Sequence, residues 1–196
     1  EPHFLTKDIY LYNPLIKKSG GGIVPWPVLQ SQIQSHLRDK DIFVTTFIDY
    51  YGIPDRYNYP GWEEAKLIAD KQDRLSFLEH KMKEDIDLDL QSRFIPYYQL
   101  HEFEGLLFNN IDAFEATFEE SDYFDKNELL NILSEYDNPE LINDNVKTAP
   151  SKRLERLIVG YNKIVYGSIL AQNIGMENLR QKSPRFNKWI SLLECI

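Results

Sequence analysis

Two short runs limit what this chain can fold into. Phe43-Val-Thr-Thr-Phe-Ile-Asp49 and Phe94-Ile-Pro-Tyr-Tyr-Gln-Leu-His-Glu-Phe-Glu104 are rich in β-branched and aromatic residues, and each ends on acidic side chains. Runs this continuous suit strands covered on both faces rather than wetted on one. In open α/β sheets ligands bind beyond the carboxyl ends of the strands, so acids placed there by neighbouring strands converge on one point. Asp49, Glu102 and Glu104 are therefore the first candidates for chemistry. A solvated acid that merely closes a strand leaves the same pattern.

The rest of the chain alternates with these runs. Pro27 to Lys40 carries Val28, Ile33 and Leu37 at helical spacing, and Trp62 to Asp85 carries Ala65, Ile68, Leu75, Leu78 and Met82 likewise. Ile9-Tyr-Leu-Tyr reads as a short β run, and Lys17 to Gly22 as a flexible connection, because no Lys-Ser or Lys-Thr follows the glycines as a phosphate-cradling loop requires. Strands separated by helices predict an α/β fold with a mainly parallel sheet flanked by helices. Pro96 inside the second run predicts an edge or a local break in hydrogen bonding. After Glu104 the pattern turns helical. Helices are expected over Gly105 to Asn109, Ala113 to Phe118, Lys126 to Tyr136, Pro139 to Asn143 and Ser151 to Asn173. Ser151 is the N-cap candidate of the long one, Gly175 its end, and Ser183-Pro-Arg opens a last helix.

Charge narrows the partners. The net charge of −9 argues against a protein that coats nucleic acid non-specifically. From Lys147 to Lys188, however, nine basic residues stand against two acidic ones, leaving the remainder strongly acidic. An acidic body with a basic tail suits a metal site beside a phosphate-binding surface, and a charge-balanced docking face within or between subunits equally well. Cys195 is the single cysteine, and no His/Cys spacing resembles structural zinc, which fits a reducing, cytoplasmic setting. No apolar run reaches the length of a membrane span and the first residues carry no signal-peptide pattern.

Mg2+ or Mn2+ needs one or two carboxylates, with water and substrate phosphates completing the shell. Asp49 with Glu102 or Glu104 meets that need; helix capping is the plainer role for Glu102. His101 suits a proton donor or an orienter of a carboxylate, or a structural place. Lys163 suits a point charge on a scissile phosphate, and Lys152, Arg153, Arg156 and Arg180 suit contacts to a nucleic-acid backbone. Tyr50, Tyr51, Tyr57 and Tyr59 lie in a Pro/Gly-punctuated loop after Asp49, where they either stack on bases or pack the loop onto its own domain.

The segments Thr45 to Gly52, Pro60 to Ala65, Arg93 to Phe108, Pro139 to Asp144, Ala149 to Leu154 and Arg180 to Trp189 together resemble a bacterial family of unknown function. That family is related to the TOPRIM domains of topoisomerases, primases and overcoming-lysogenization-defect nucleases, and His101-Glu-Phe-Glu104 is the most specific part of the likeness. The resemblance implies a TOPRIM or Rossmann-like core over residues 1–110 and a helical extension over 111–196. It implies Mg2+-dependent (or Mn2+-dependent) cleavage of phosphodiester bonds in DNA or RNA. It also implies an ATPase partner in a phage-defence setting. A homo-oligomer is a separate expectation, in keeping with a docking face between subunits. The positions it carries over are Asp49, His101, Glu102, Glu104 and Lys163. Related domains open with a strand ending in a catalytic glutamate, which by this likeness would lie before Glu1. The usual Asp-x-Asp pair is replaced by Asp49-Tyr-Tyr, so the second metal carboxylate would have to be Glu102 or Glu104. The contrasting expectation is a non-catalytic regulatory or docking partner of an ATPase.

Overall fold

The computed structural model describes residues 23–143 and 148–196; the expected β run at Ile9 and the glycine-rich connection lie outside the described residues. Helix α1 (Trp26–Leu37) follows Pro25, with Pro27 in its first turn, where a missing N–H costs nothing. It buries Trp26, Ile33 and Leu37, whereas Val28, expected on the apolar face, is exposed.

The first acidic-ended run forms strands β1 (Val44–Thr45) and β2 (Ile48–Asp49). The second forms β3 (Phe94–Ile95) and β4 (Tyr98–Gln99). β1 pairs with β3 and β2 with β4, both parallel, at one shared register that sets Val44 opposite Phe94 and Asp49 opposite Gln99. The ladder is interrupted at Pro96, as its missing N–H requires. Thr46 fills the gap: its hydroxyl takes the Tyr97 N–H at 3.1 Å, and Ile48 N–H resumes the ladder on Tyr97 O at 3.2 Å.

Among the described residues no other strand joins this pair. The expected mainly parallel sheet is thus a minimal one, and helices make most of the fold. Side chains take the place of further strands. Trp189 stacks on Tyr97 with ring centroids 4.9 Å apart and donates its indole N–H to Thr45 Oγ1 at 2.8 Å.

The single helix expected over Trp62 to Asp85 is two, α2 (Trp62–Ala65) and α3 (Lys71–Glu84). The break has a local cause. Asp70 is extended and its carboxylate accepts the N–H groups of Gln72 and Asp73 at 2.8 and 2.9 Å, starting a new helix. Gly61, at φ 70°, makes the turn into α2; a Cβ there would stand 2.8 Å from a Phe77 ring carbon.

Beyond Glu104 a 3-10 turn (Phe103–Leu107) leads to α4 (Ile111–Glu115), α5 (Lys126–Glu135), a second 3-10 turn (Pro139–Leu141) and α6 (Pro150–Leu157). Helices α7 (Lys163–Lys182) and α8 (Pro184–Leu193) close the chain. The continuous helix expected from Ser151 to Asn173 is broken between α6 and α7. There the chain turns aside to meet residues 122–124, with Phe124 N–H on Leu157 O and Val159 N–H on Asp122 O, at 2.9 and 2.8 Å. Asn162 then caps α7 through Ile164 N–H and Val165 N–H. Gly175, at φ 76°, interrupts α7 without ending it.

Two apolar cores result. One gathers α1, α2, α3 and the strands around Phe94 and Tyr98; the other gathers α4 to α8 around Leu107, Phe114 and Leu154. α8 ties them together. Arg185 forms an ion pair with Glu79 of α3, while the buried Glu140 carboxylate accepts Arg185 N–H and Phe186 N–H at 3.1 and 3.0 Å. Among the described residues no helix is long and apolar enough to cross a membrane.

Candidate active site

Parallel pairing brings the ends of β2 and β4 side by side, and the chain after β4 turns sharply at His101. Tyr50 N–H on Gln99 O, at 2.8 Å, is the last bond of the ladder. Asp49 therefore stands where the second run breaks into the 3-10 turn that begins at Phe103. That turn is held tightly: a Cβ on Gly105 would lie 3.2 Å from Pro139 O, so a side chain on the residue after Glu104 would press on the Pro139 backbone. The tight packing keeps Glu104 inside, at 1% exposure.

Asp49, Glu102, Glu104 and Lys163 lie close enough to act on one another's charge. Burial pushes the Asp49 carboxyl up to about 7, Glu104 and Glu102 push it the same way, and Lys163 and the Phe103 N–H oppose them. Lys163 Nζ stands 2.7 Å from Glu104 Oε1. The ion pair with Glu104 raises the Lys163 pKa, against the opposing effect of desolvation, its largest single influence. From the described residues, neither Asp49 Oδ1 nor Glu104 Oε2 accepts a hydrogen bond. Buried carboxylate oxygens are normally satisfied, so these two call for a ligand or a function.

Glu102 is arranged differently. Its carboxylate accepts Ser151 N–H at 2.9 Å and so caps α6, a helix forty-nine residues further on, rather than its own turn. The capping role is real. Ser151, expected as the N-cap, is instead the second residue of α6, and Ala149 occupies the cap position without a side-chain bond.

His101 is buried beside the site at 8% exposure. Beneath it, Gln99 is fully buried and accepts the Tyr97 hydroxyl at 2.7 Å, which links the strand end to the Glu140 network. Tyr161, not anticipated from sequence, also faces the acids. Burial raises its hydroxyl pKa, and Glu104, Glu155 and Glu102 add to the rise. Nothing local marks it; only the break before α7 brings it in.

The basic candidates are placed apart from one another in their bonding. Lys152 pairs with Glu155 at 2.6 Å and Arg156 with Glu128. Arg180 donates to Asn187, Ser191 and Glu194. Arg153 is buried, donates to Thr148 O at 2.9 Å and lies over the Tyr136 ring. Of the loop tyrosines, Tyr59 is buried against Trp26, Trp62 and Tyr98, and Tyr50 packs on Trp62 and Tyr98, so these two pack the loop onto its domain.

Among the described residues no three His, Cys, Asp or Glu side chains are grouped as a ready metal cage. The donor set present is the buried Glu104 and the half-buried Asp49, each with a free oxygen, and a third carboxylate nearby, which matches the one or two protein ligands that Mg2+ takes. No curated protein and no solved structure matches this chain. Over residues 1–194 it matches the family described as a domain of unknown function, DUF4276, and the chain belongs to that family.

Proposed function

We propose that this protein hydrolyses phosphodiester bonds of DNA or RNA at a divalent-metal site of TOPRIM type, as the effector of an ATPase-linked phage-defence system. The observation that carries the reading is the pair of buried, unbonded oxygens on Asp49 and Glu104 beside Lys163. Asp49 and Glu104 would hold Mg2+ or Mn2+, with Glu102 contributing charge from its position at α6. Bound there, the metal would activate water and offset charge on the leaving oxygen. The residues themselves orient and exclude. The 3-10 turn and Gly105 fix Glu104, and the Lys163 ammonium supplies positive charge on the open side, where its side chain is 62% exposed. The DNA or RNA substrate and the ATPase enter this reading through the family resemblance alone.

The test is cleavage of single- and double-stranded DNA and RNA by the full-length protein, with and without Mn2+. Metal-dependent cleavage lost in Asp49→Asn and Glu104→Gln is the expected result. Undiminished cleavage in both variants overturns the assignment.

A docking role is the second reading, favoured by α7, which exposes Ile164, Val165, Ile169 and Met176 to solvent. Co-purification with an ATPase, without cleavage under any metal, selects it.

A further inference from the structure

We propose that Lys163 is a displaceable internal counter-cation, which a divalent ion drives off Glu104 so that the freed ammonium faces the substrate phosphate. The inference rests on the metal-dependent reading above and adds how the site is held before a metal arrives.

Glu104 is among the most buried acids of the protein, at 1% exposure, and a buried carboxylate is retained only when a positive charge or strong donors compensate it. Lys163 supplies that charge at 2.7 Å, yet from a side chain that is 62% exposed. The asymmetry decides which partner moves. Glu104 is fixed by the turn packed against Pro139, whereas Lys163 ends in water on a flexible four-carbon stem.

Lys163 is also the first residue of α7, where the helix dipole disfavours a cation, so the helix itself does nothing to hold the ammonium in place. Gly160, three residues before it, lies at φ 67° with nothing within 4 Å of where a Cβ would stand, so the turn into α7 is not packed around that residue.

The second independent observation is the set of vacant acceptors. Glu104 Oε2 and Asp49 Oδ1 take no hydrogen bond from the described residues, and the ammonium covers only Glu104 Oε1. A hard divalent cation seeks carboxylate oxygens of this kind, and its charge repels an ammonium sharing the same carboxylate. Metal and Lys163 therefore compete for Glu104. Once released, the ammonium stays tethered at the rim, where a phosphate bound to the metal brings its own negative charge.

Two measurements test this. Mn2+ binding is followed by titration calorimetry at pH 8 for the full-length wild type, Lys163→Met and Lys163→Arg. The methionine variant should bind about tenfold more tightly and the arginine variant like wild type. In the second, wild-type protein is treated with a lysine-acylating reagent, and the acylation rate at Lys163 is read by mass spectrometry. Saturating Mn2+ should raise the rate at Lys163 and leave that at Lys66 unchanged. Equal or weaker binding by the methionine variant, or an unchanged Lys163 rate in metal-loaded wild type, overturns the displacement while leaving the metal site standing. Absence of Mn2+ binding in all three proteins overturns the metal reading, and the inference with it.

Discussion

Glu102 Oε2 accepts the backbone N–H of Ser151 at 2.9 Å, so an acid at the end of the second strand run also starts a helix in the other half of the chain. The two duties separate by substitution. Glu102→Ala removes a helix cap and should cost about 1 kcal/mol in urea unfolding, as loss of a capping side chain does. Glu102→Gln keeps an oxygen for Ser151 and should cost less than half of that. If the two variants are equally destabilised, the cap is not what Glu102 contributes to the fold.

Asp49 makes stability depend on pH in an unusual direction. In the unfolded chain it ionises near its ordinary value of 3.8, whereas in the folded site burial, with Glu104 and Glu102, holds the proton until about 7. Between those values the native state binds more protons, so metal-free stability falls as pH rises from about 4 to about 7 and levels off above. Asp49→Asn carries no charge at any pH. Relative to wild type it should gain on the order of 2 kcal/mol between pH 4 and pH 8, measured by chemical unfolding without metal. A constant difference between the two proteins across that range would rule out a folded-state carboxyl titrating near 7.

The acids were legible because their signal is local. An apolar run that ends on Asp49, and another that ends on Glu102 and Glu104, mark the strands that pair and the acids that close them within a few residues, and Pro96 announces the ladder break that Thr46 repairs. The sheet's small extent was not legible, since what covers a strand depends on the tertiary neighbours, here Trp189 and Tyr97 rather than more backbone. The helix breaks divide in the same way. Asp70 could have been read as a cap inside the pattern, because its type and position suffice. The break before α7 could not, because it exists to bond residues 122–124. Tyr161 went unnoticed for that reason.

The joint between α8 and α3 rests on a largely buried charge. The Arg185 guanidinium pairs with Glu79, donates to Ser76 Oγ at 3.0 Å and lies over the Tyr97 ring, while Glu79 also accepts Tyr98 N–H at 2.9 Å. Burial is the largest influence on the Glu79 carboxyl and raises its pKa, with Arg185 opposing it. Removing the arginine alone strands a buried acid. Arg185→Ala should therefore cost about 3–5 kcal/mol. Glu79→Gln in that background should restore part of the loss, giving a coupling energy of about 0.5–3 kcal/mol in a double-mutant cycle. Strict additivity would show that the pair does not hold α8 in place.

The basic residues of α6 offer a way to tell a nucleic-acid surface from an internal one. Lys152 and Arg153 are neighbours in sequence, but Lys152 is exposed and held only by a surface pair with Glu155, whereas Arg153 is buried against Tyr136 and bonded to Thr148 O. Surface pairs of this kind are worth little and exchange readily, so Lys152 remains available to a phosphate. Arg153 does not. If a nucleic-acid backbone crosses α6, Lys152→Ala should weaken binding uniformly across sequences and lower the slope of log affinity against log salt by about 1, with unfolding unchanged. Arg153→Ala should instead lower stability by about 1–3 kcal/mol, through the lost hydrogen bond to Thr148 O and the lost ring contact, and change binding only as far as it unfolds the protein. Filter binding at several salt concentrations, paired with urea unfolding of each variant, separates the two. A salt slope that does not move in Lys152→Ala would remove α6 from the substrate path and leave the surface near Lys163 as the place to look.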